Sequence, residues 1–490
     1  MFSSCSAPRI CIMRGRTALV LILVFTSACT ATDQPGAPSG DRQPPSPLES
    51  QGEASATSTV DLPWPDPPAV PDGPLDPSVS EALDRLVSTI LAGALDRDAL
   101  DMLAGSDDAR LAWIISDLLR FIQAGTETEA LVQAFADLTG VDPRGDDRFE
   151  TLAWLAVTNL LIAWDLPAPP NYQERKAALF LAVEPAWEPF FADSDSAIDW
   201  RLVSWGGVFI DDRELGDRRP CPRGCIPALD DPALTPAAEG DWYADDRIVF
   251  GVVVGDEAVA FPKNIMEVHE MVNVTIGGRR IGMPYCTLCG SPQAYLTDAV
   301  PEGVETPVLR TSGLLSRSNK VMFDLVTGSV FDTFVGRAIS GPLEDIGLVL
   351  EQTSVVVSSW GEWKVAHPDT MIVARDGGIG RSYPEDPLGG RDDDGPIFPI
   401  GQADLRLPAQ ARVVGAVDPD GQPVAFPVEQ ATSSLAAGRE VVLGVVELVA
   451  DAGGLRAQLR GGEELPAHEA FWFAWSQFHP ETLVWTPLDR

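Results

Sequence analysis

Ile248-Val-Phe-Gly-Val-Val253, followed by Asp256-Glu-Ala-Val-Ala-Phe-Pro262, returns later as Arg412-Val-Val-Gly-Ala-Val417, followed by Gly421-Gln-Pro-Val-Ala-Phe-Pro427. Each copy is a short β-branched run, a turn-forming break and a second apolar run that ends at proline. That pattern predicts a pair of antiparallel strands in each place. Both copies continue to a Gly-Arg pair, Gly278-Arg279 and Gly438-Arg439, and then to another apolar strand. The spacing therefore predicts a pseudo-repeat over about residues 247–290 and 411–455. Only the first copy carries His269, Cys286 and Cys289; the second reads Val445-Val-Glu-Leu-Val-Ala-Asp451. Shared residues are read as scaffold, and chemistry is sought where the copies differ.

Further short runs lie around these two, among them Arg280-Ile-Gly-Met283, Val308-Leu-Arg310, Lys320-Val-Met-Phe-Asp324 and Met371-Ile-Val373. Strands of that length between Gly, Asp and Pro predict a mainly antiparallel β-rich domain over 200–490. Upstream the period changes. Leu83, Leu86, Val87, Ile90, Leu91, Ala94 and Leu95 recur at three and four, behind a possible capping box Ser78-x-x-Glu81. Four more helices are predicted around 111–122, 131–140, 152–161 and 177–191, with no polar cluster facing inward. The class is thus α+β, with an all-helical module at 78–199 ahead of the β-rich domain.

Before the helices, 12 of the 42 prolines crowd between Thr30 and Pro77. Such a stretch cannot bury enough surface to offset its ordering entropy, so 29–77 reads as a disordered tether. Residues 1–28 join Arg9, Arg14 and Arg16 to the apolar run Ala18–Phe25 and then Thr26-Ser-Ala28 before Cys29. A basic region, an apolar core and small residues form an export signal. Cys29 after small residues resembles a bacterial lipobox, which predicts lipidation there and a cell-membrane anchor on the extracytoplasmic face.

The chain has 490 residues, 35 Lys+Arg against 72 Asp+Glu, and a formal net charge of −37. So acidic a surface repels polyanions, which argues against a nucleic acid partner. No apolar run reaches the ~18–20 residues of a bilayer span. Gly-x-Ser-x-Gly, His-Glu-x-x-His and a phosphate-binding loop are all missing from the sequence, which counts against common hydrolases and nucleotide enzymes.

Two cysteine pairs remain. Cys221-Pro-Arg-Gly-Cys225 reads as a local disulfide closing a Pro/Gly turn. Cys286-Thr-Leu-Cys289 follows an apolar strand, and its spacing leaves a structural disulfide, a metal site and thiol exchange all open. His269 precedes it on a predicted helix that sets Asn273 on the same face and Glu270 alongside. Two thiolates and an imidazole would suit copper or zinc, with Glu270 and Asn273 orienting the ring. His367 and His479, each before proline and after a Trp-rich stretch, read as packing and turn residues.

These residues also carry a resemblance. Ala-Phe-Pro262, His269-Glu-Met-Val-Asn273 and Tyr285-Cys-Thr-Leu-Cys-Gly290 are similar to elements of the bacterial domain of unknown function 3179. So are Ser312-Gly-Leu-Leu-Ser-Arg-Ser-Asn319, Met322-Phe-Asp-Leu-Val-Thr-Gly-Ser329 and Gly336-Arg-Ala-Ile-Ser-Gly-Pro342. The likeness continues through Trp360-Gly-Glu-Trp363, His367-Pro-Asp-Thr370, Phe471-Trp-Phe-Ala-Trp475 and His479-Pro-Glu-Thr482, over about residues 220–490. The family carries a Tyr-rich stretch after Arg381-Ser-Tyr383, where this chain has Pro387-Leu-Gly-Gly-Arg-Asp-Asp-Asp394. The resemblance implies an exported bacterial protein and no particular reaction.

The leading expectation is a lipid-anchored protein whose Cys286, Cys289 and His269 bind a soft metal or exchange disulfides. One alternative is a cell-envelope hydrolase in which Glu270, His269 or a carboxylate of Asp392-Asp-Asp394 acts as base. The other is a non-catalytic adaptor for an envelope protein, with an inert Cys286–Cys289 bond.

Overall fold

A computed structural model of the chain describes residues 64–145, 152–391 and 395–487. The signal peptide, Cys29, most of the tether and Asp392–Asp394 lie outside the described residues. Helices occupy Pro77–Leu91, Arg97–Ala104, Ala112–Phe121, Thr126–Thr139, Ala153–Ala163, Tyr172–Val183 and Glu188–Ala192. None of them is long and apolar enough to cross a membrane. The first helix begins two residues earlier than the capping box implied. Asp76 is its cap, accepting from the Ser78 N–H at 2.8 Å, and Pro77 supplies a preset φ at the first position. Its apolar face ends at Gly93, whose φ of 87° turns the chain, and Asp96 caps a separate helix.

The helical interior holds a polar group the periodicity concealed. Lys176, 1 % exposed, donates to Asp117 at 2.7 Å, and the Tyr172 hydroxyl donates to the other Asp117 oxygen at 2.8 Å. These positions fall on the apolar period, so charge enters the core only because each partner satisfies the other. The same core continues without a break into Val203, Trp205, Leu314, Val321, Phe323 and Val330 of the first sheet.

Five small sheets follow in a five-blade propeller arrangement. Strand Leu309–Ser316 of the first packs on Met271–Ile276 of the second, which meets Glu257–Pro262 of the third. Val356–Ser359 of the third touches Gly454–Leu459, which in turn touches Arg412–Val417. Helix Trp472–Phe478 closes the ring, its Gln477 accepting from Arg317 and Asn319 of the first sheet at 3.1 and 3.0 Å.

The third and fourth sheets are the two halves of the pseudo-repeat. One orders its strands Val356–Ser359, Ile248–Val254, Glu257–Pro262, Met371–Val373; the other orders them Ala467–Phe471, Arg412–Val417, Pro423–Pro427, Leu483–Val484. In both, the strand ending in Phe-Pro pairs antiparallel with its predecessor and parallel with the last strand. The likeness reaches past the motifs first seen. Trp363 bonds Thr370 at 3.0 Å and packs beside His367, and Trp475 does the same with Thr482, at 2.9 Å, and His479. A Cβ on Gly251 would run into the Trp363 ring, and one on Gly415 into the Trp475 ring. Glycine is required there because the indole lies against the strand backbone. The Gly-Arg pairs, however, are not equivalent. Gly277-Gly278 forms the turn between Met271–Ile276 and Arg279–Cys286, whereas Gly438 ends helix Val428–Ala436 in the left-handed conformation.

Candidate functional site

Helix Lys263–His269 stops at Glu270, whose φ of 51° is left-handed. That single residue separates the predicted constellation. Asn273 lies in strand Met271–Ile276 and not one helical turn beyond His269. Its amide donates to Asp230 at 2.9 Å and to the Leu309 carbonyl at 3.1 Å, and its oxygen accepts from the Leu309 N–H at 3.1 Å. Asn273 therefore joins strands and does not orient the imidazole.

Cys286 and Cys289 are disulfide-bonded, with Cα atoms 5.2 Å apart, and are 2 % and 0 % exposed. Val413, Ala425, Phe334, Trp472 and Trp475 belong to the same buried cluster. A bond so enclosed offers no approach to another thiol. Glu270 faces this loop: it accepts from the Thr287 hydroxyl at 2.7 Å and pairs with Lys320 at 2.6 Å. With both oxygens engaged, its half-buried carboxylate is a structural partner and not a free base.

His269 sits elsewhere. Nδ1 lies 2.7 Å from the Pro227 carbonyl and Nε2 2.7 Å from the Tyr383 hydroxyl. Neither ring nitrogen is left for Cys286 or Cys289, and the three do not form a ligand group among the described residues. Burial, reinforced by Arg381 and Arg213, lowers the imidazole to about 4, so the ring is neutral at neutral pH.

The imidazole instead backs the other cysteine pair. Pro227 is two residues beyond Cys225, and the next N–H, that of Ala228, donates to Asp211 at 2.7 Å. Among the described residues, Asp211, Cys221 and Cys225 bring one ligand atom each within 4.8 Å of one another. Cys221 and Cys225 form a disulfide, as the turn implied, with Cα atoms 5.4 Å apart. Both are only half-buried, while Asp211 is fully buried and gripped by Arg213 at 2.6 and 2.9 Å. Arg310 stands 3.8 Å from the same carboxylate and is itself paired with Asp230 at 2.7 Å. Arg223, between the cysteines, lies over Phe209 at 4.1 Å and bonds Glu184 at 2.9 Å. Each of these guanidinium groups is paired with a carboxylate, and the charged group brought to the two sulfurs is Asp211.

Sequence reasoning thus placed chemistry at the enclosed pair and structure at the open one. The missed residues are Asp211, Arg213 and Tyr383. The first two precede Cys221 by eight to ten positions, a spacing that matches no familiar metal motif. Tyr383 closes on His269 across 114 positions of chain.

Residues 223–458 match the model of the family described as "Protein of unknown function (DUF3179)". No curated protein and no solved structure matches the chain. The matched segment holds His269, Cys225 and the Cys286–Cys289 bond, and it excludes Asp211, Cys221 and the seven helices from Pro77 to Ala192.

Proposed function

We propose that the chain is an exported, lipid-anchored protein that binds a soft transition metal at Asp211, Cys221 and Cys225 once that disulfide is reduced. The observation that carries this reading is the approach of two half-exposed sulfurs and one carboxylate to within 4.8 Å. In the bonded state neither sulfur is a thiolate, and a thiolate is what a metal takes. An external dithiol opens the bond, delivering two electrons and two protons and leaving as a disulfide. The entering metal then displaces the two thiol protons, which pass to solvent. Two thiolates suit Cu(I) or Zn(II). A carboxylate has about four lone-pair positions, and Asp211 uses three of them on Arg213 and Ala228. His269 and Tyr383 hold the loop through Pro227 and supply no ligand. Cys29 and the proline-rich tether support an extracytoplasmic location, where an external thiol system would set the state of the pair.

The test is a titration of protein reduced with dithiothreitol and desalted without oxygen, against Cu(I) or Zn(II) in competition with a chromophoric chelator. Wild type and the double variant Cys286→Ala/Cys289→Ala take up one ion per chain, whereas Cys221→Ser and the oxidised protein take up none. Equal uptake in all four samples, or none in any, rejects the reading.

A further inference from the structure

Between the last helical segment, the first sheet and helix Trp472–Phe478 lies a cavity of about 290 Å³, near the lower end of the ~300–1,000 Å³ typical of small-molecule sites. Phe190, Leu314, Val330 and Ile339 line its apolar part; Arg317, Lys320, Asp332 and Gln477 line its polar part.

The chain reaches this place through an unusual turn. Ser316 and Asn319 pair across a two-residue connection, and the residues between them are Arg317 and Ser318, with φ of 47° and 69°. Asn-Gly or Gly-Gly is the low-energy choice for such a turn. Two residues with side chains in left-handed conformation cost free energy, and such strain concentrates at functional sites. The turn delivers the Arg317 guanidinium into the protein, over Phe478 at 5.5 Å, with Nη2 donating to the Gln477 carbonyl at 3.1 Å.

Two donors among its lining residues lack acceptors. Arg317 Nε and Trp200 Nε1 are both buried without a hydrogen-bond partner, and both residues line the cavity. Lys320 is neutralised by Glu270, and Asp199 by Arg201 at 2.6 Å. Asp332 accepts from the Phe334 and Val335 N–H groups at 2.9 and 3.1 Å, and burial raises its carboxyl, so it more readily carries a proton. Buried donors without acceptors call for an acceptor, and the apolar walls call for carbon.

We propose that this cavity binds a small amphipathic carboxylate, whose oxygens accept from Arg317 and Trp200 and whose carbon body lies against Phe190, Leu314, Val330 and Ile339. The site is separate from the metal site at Asp211, Cys221 and Cys225 and does not depend on it.

Isothermal titration with benzoate and hexanoate, beside benzyl alcohol and hexanol, tests the proposal on the full chain. At least one acid binds, and its alcohol counterpart binds at least about tenfold more weakly, the expected loss for a charge-assisted hydrogen bond. Arg317→Gln weakens the acid by a similar factor. Trp200→Phe, which keeps an aromatic ring and removes the N–H, weakens it several-fold and decides the matter if Arg317→Gln does not fold. The proposal is overturned if neither acid binds, if the alcohols bind as tightly as the acids, or if folded Trp200→Phe keeps wild-type affinity.

Discussion

The Nε2 of His269 meets the hydroxyl of Tyr383 at 2.7 Å, across 114 positions of chain. On the other side Nδ1 faces a carbonyl, which can only accept, so Nδ1 bears the proton and Nε2 accepts from the tyrosine. Burial holds the imidazole near 4 and pushes the phenol up to about 12, which keeps both neutral through the physiological range.

This neutrality makes stability depend on acid. His269 is held at about 4 and His468 at about 3 by burial, from an ordinary value of 6.5. The unfolded chain therefore binds protons that the folded chain refuses. The contribution of each histidine is complete above pH 6.5 and is lost as the pH falls from there toward about 4 for His269 and about 3 for His468, by up to about 1.4 kcal/mol per unit. In urea unfolding from pH 8 to pH 4.5, His269→Gln should give a shallower loss of stability than wild type. An unchanged slope would show that His269 titrates normally in the fold.

Gly251→Ala and Gly415→Ala each place a methyl against an indole, Trp363 in one unit and Trp475 in the other. Overpacking of this kind costs about 1–3 kcal/mol. Gly461→Ala, where a Cβ meets nothing within 4 Å, is the matched control and should stay within about 0.5 kcal/mol of wild type. Chemical denaturation midpoints measure all three.

Glu270→Gln should destabilise the protein strongly, by about 3–5 kcal/mol, because it leaves the Lys320 ammonium, 3 % exposed, without its counter-charge. The double change Glu270→Leu/Lys320→Met should recover most of that loss. A Glu270→Gln protein as stable as wild type would return the carboxylate to the list of candidate bases.

The two disulfides should open in order of access. Mild thiol treatment of the native protein, followed by alkylation and peptide mass mapping, should label Cys221 and Cys225 and spare Cys286 and Cys289, which are 2 % and 0 % exposed. In urea both pairs should be labelled. Native labelling of Cys286 would mean that its aromatic cover opens readily.

Period and repetition made the scaffold readable. Leu83, Leu86 and Val87 mark a buried helix face, and the two Ala-Phe-Pro runs mark matching strands. The site was less readable because it turns on single backbone angles and distant closures. Glu270 adopts a left-handed φ and sends His269 and its own carboxylate to different neighbours. No local pattern announces that. Asp117 and Lys176 sit at positions whose helical period looks apolar, and only their mutual pairing lets them remain inside. The choice between the cysteine pairs was decided by cover, a property of residues such as Trp475 that lie almost two hundred positions away.

Strand Val203–Trp205 finds its partner at Leu314–Ser316, more than a hundred residues further on. As the chain emerges, the helical segment must wait with Trp205 and its neighbours uncovered until that late strand arrives. Closing so wide a loop is entropically slow and leaves adhesive surface open in the meantime. A truncation anywhere between the two strands would strand the amino-terminal half in that unfinished condition, so the whole chain, and no early fragment of it, is the unit that a chaperone would have to shepherd.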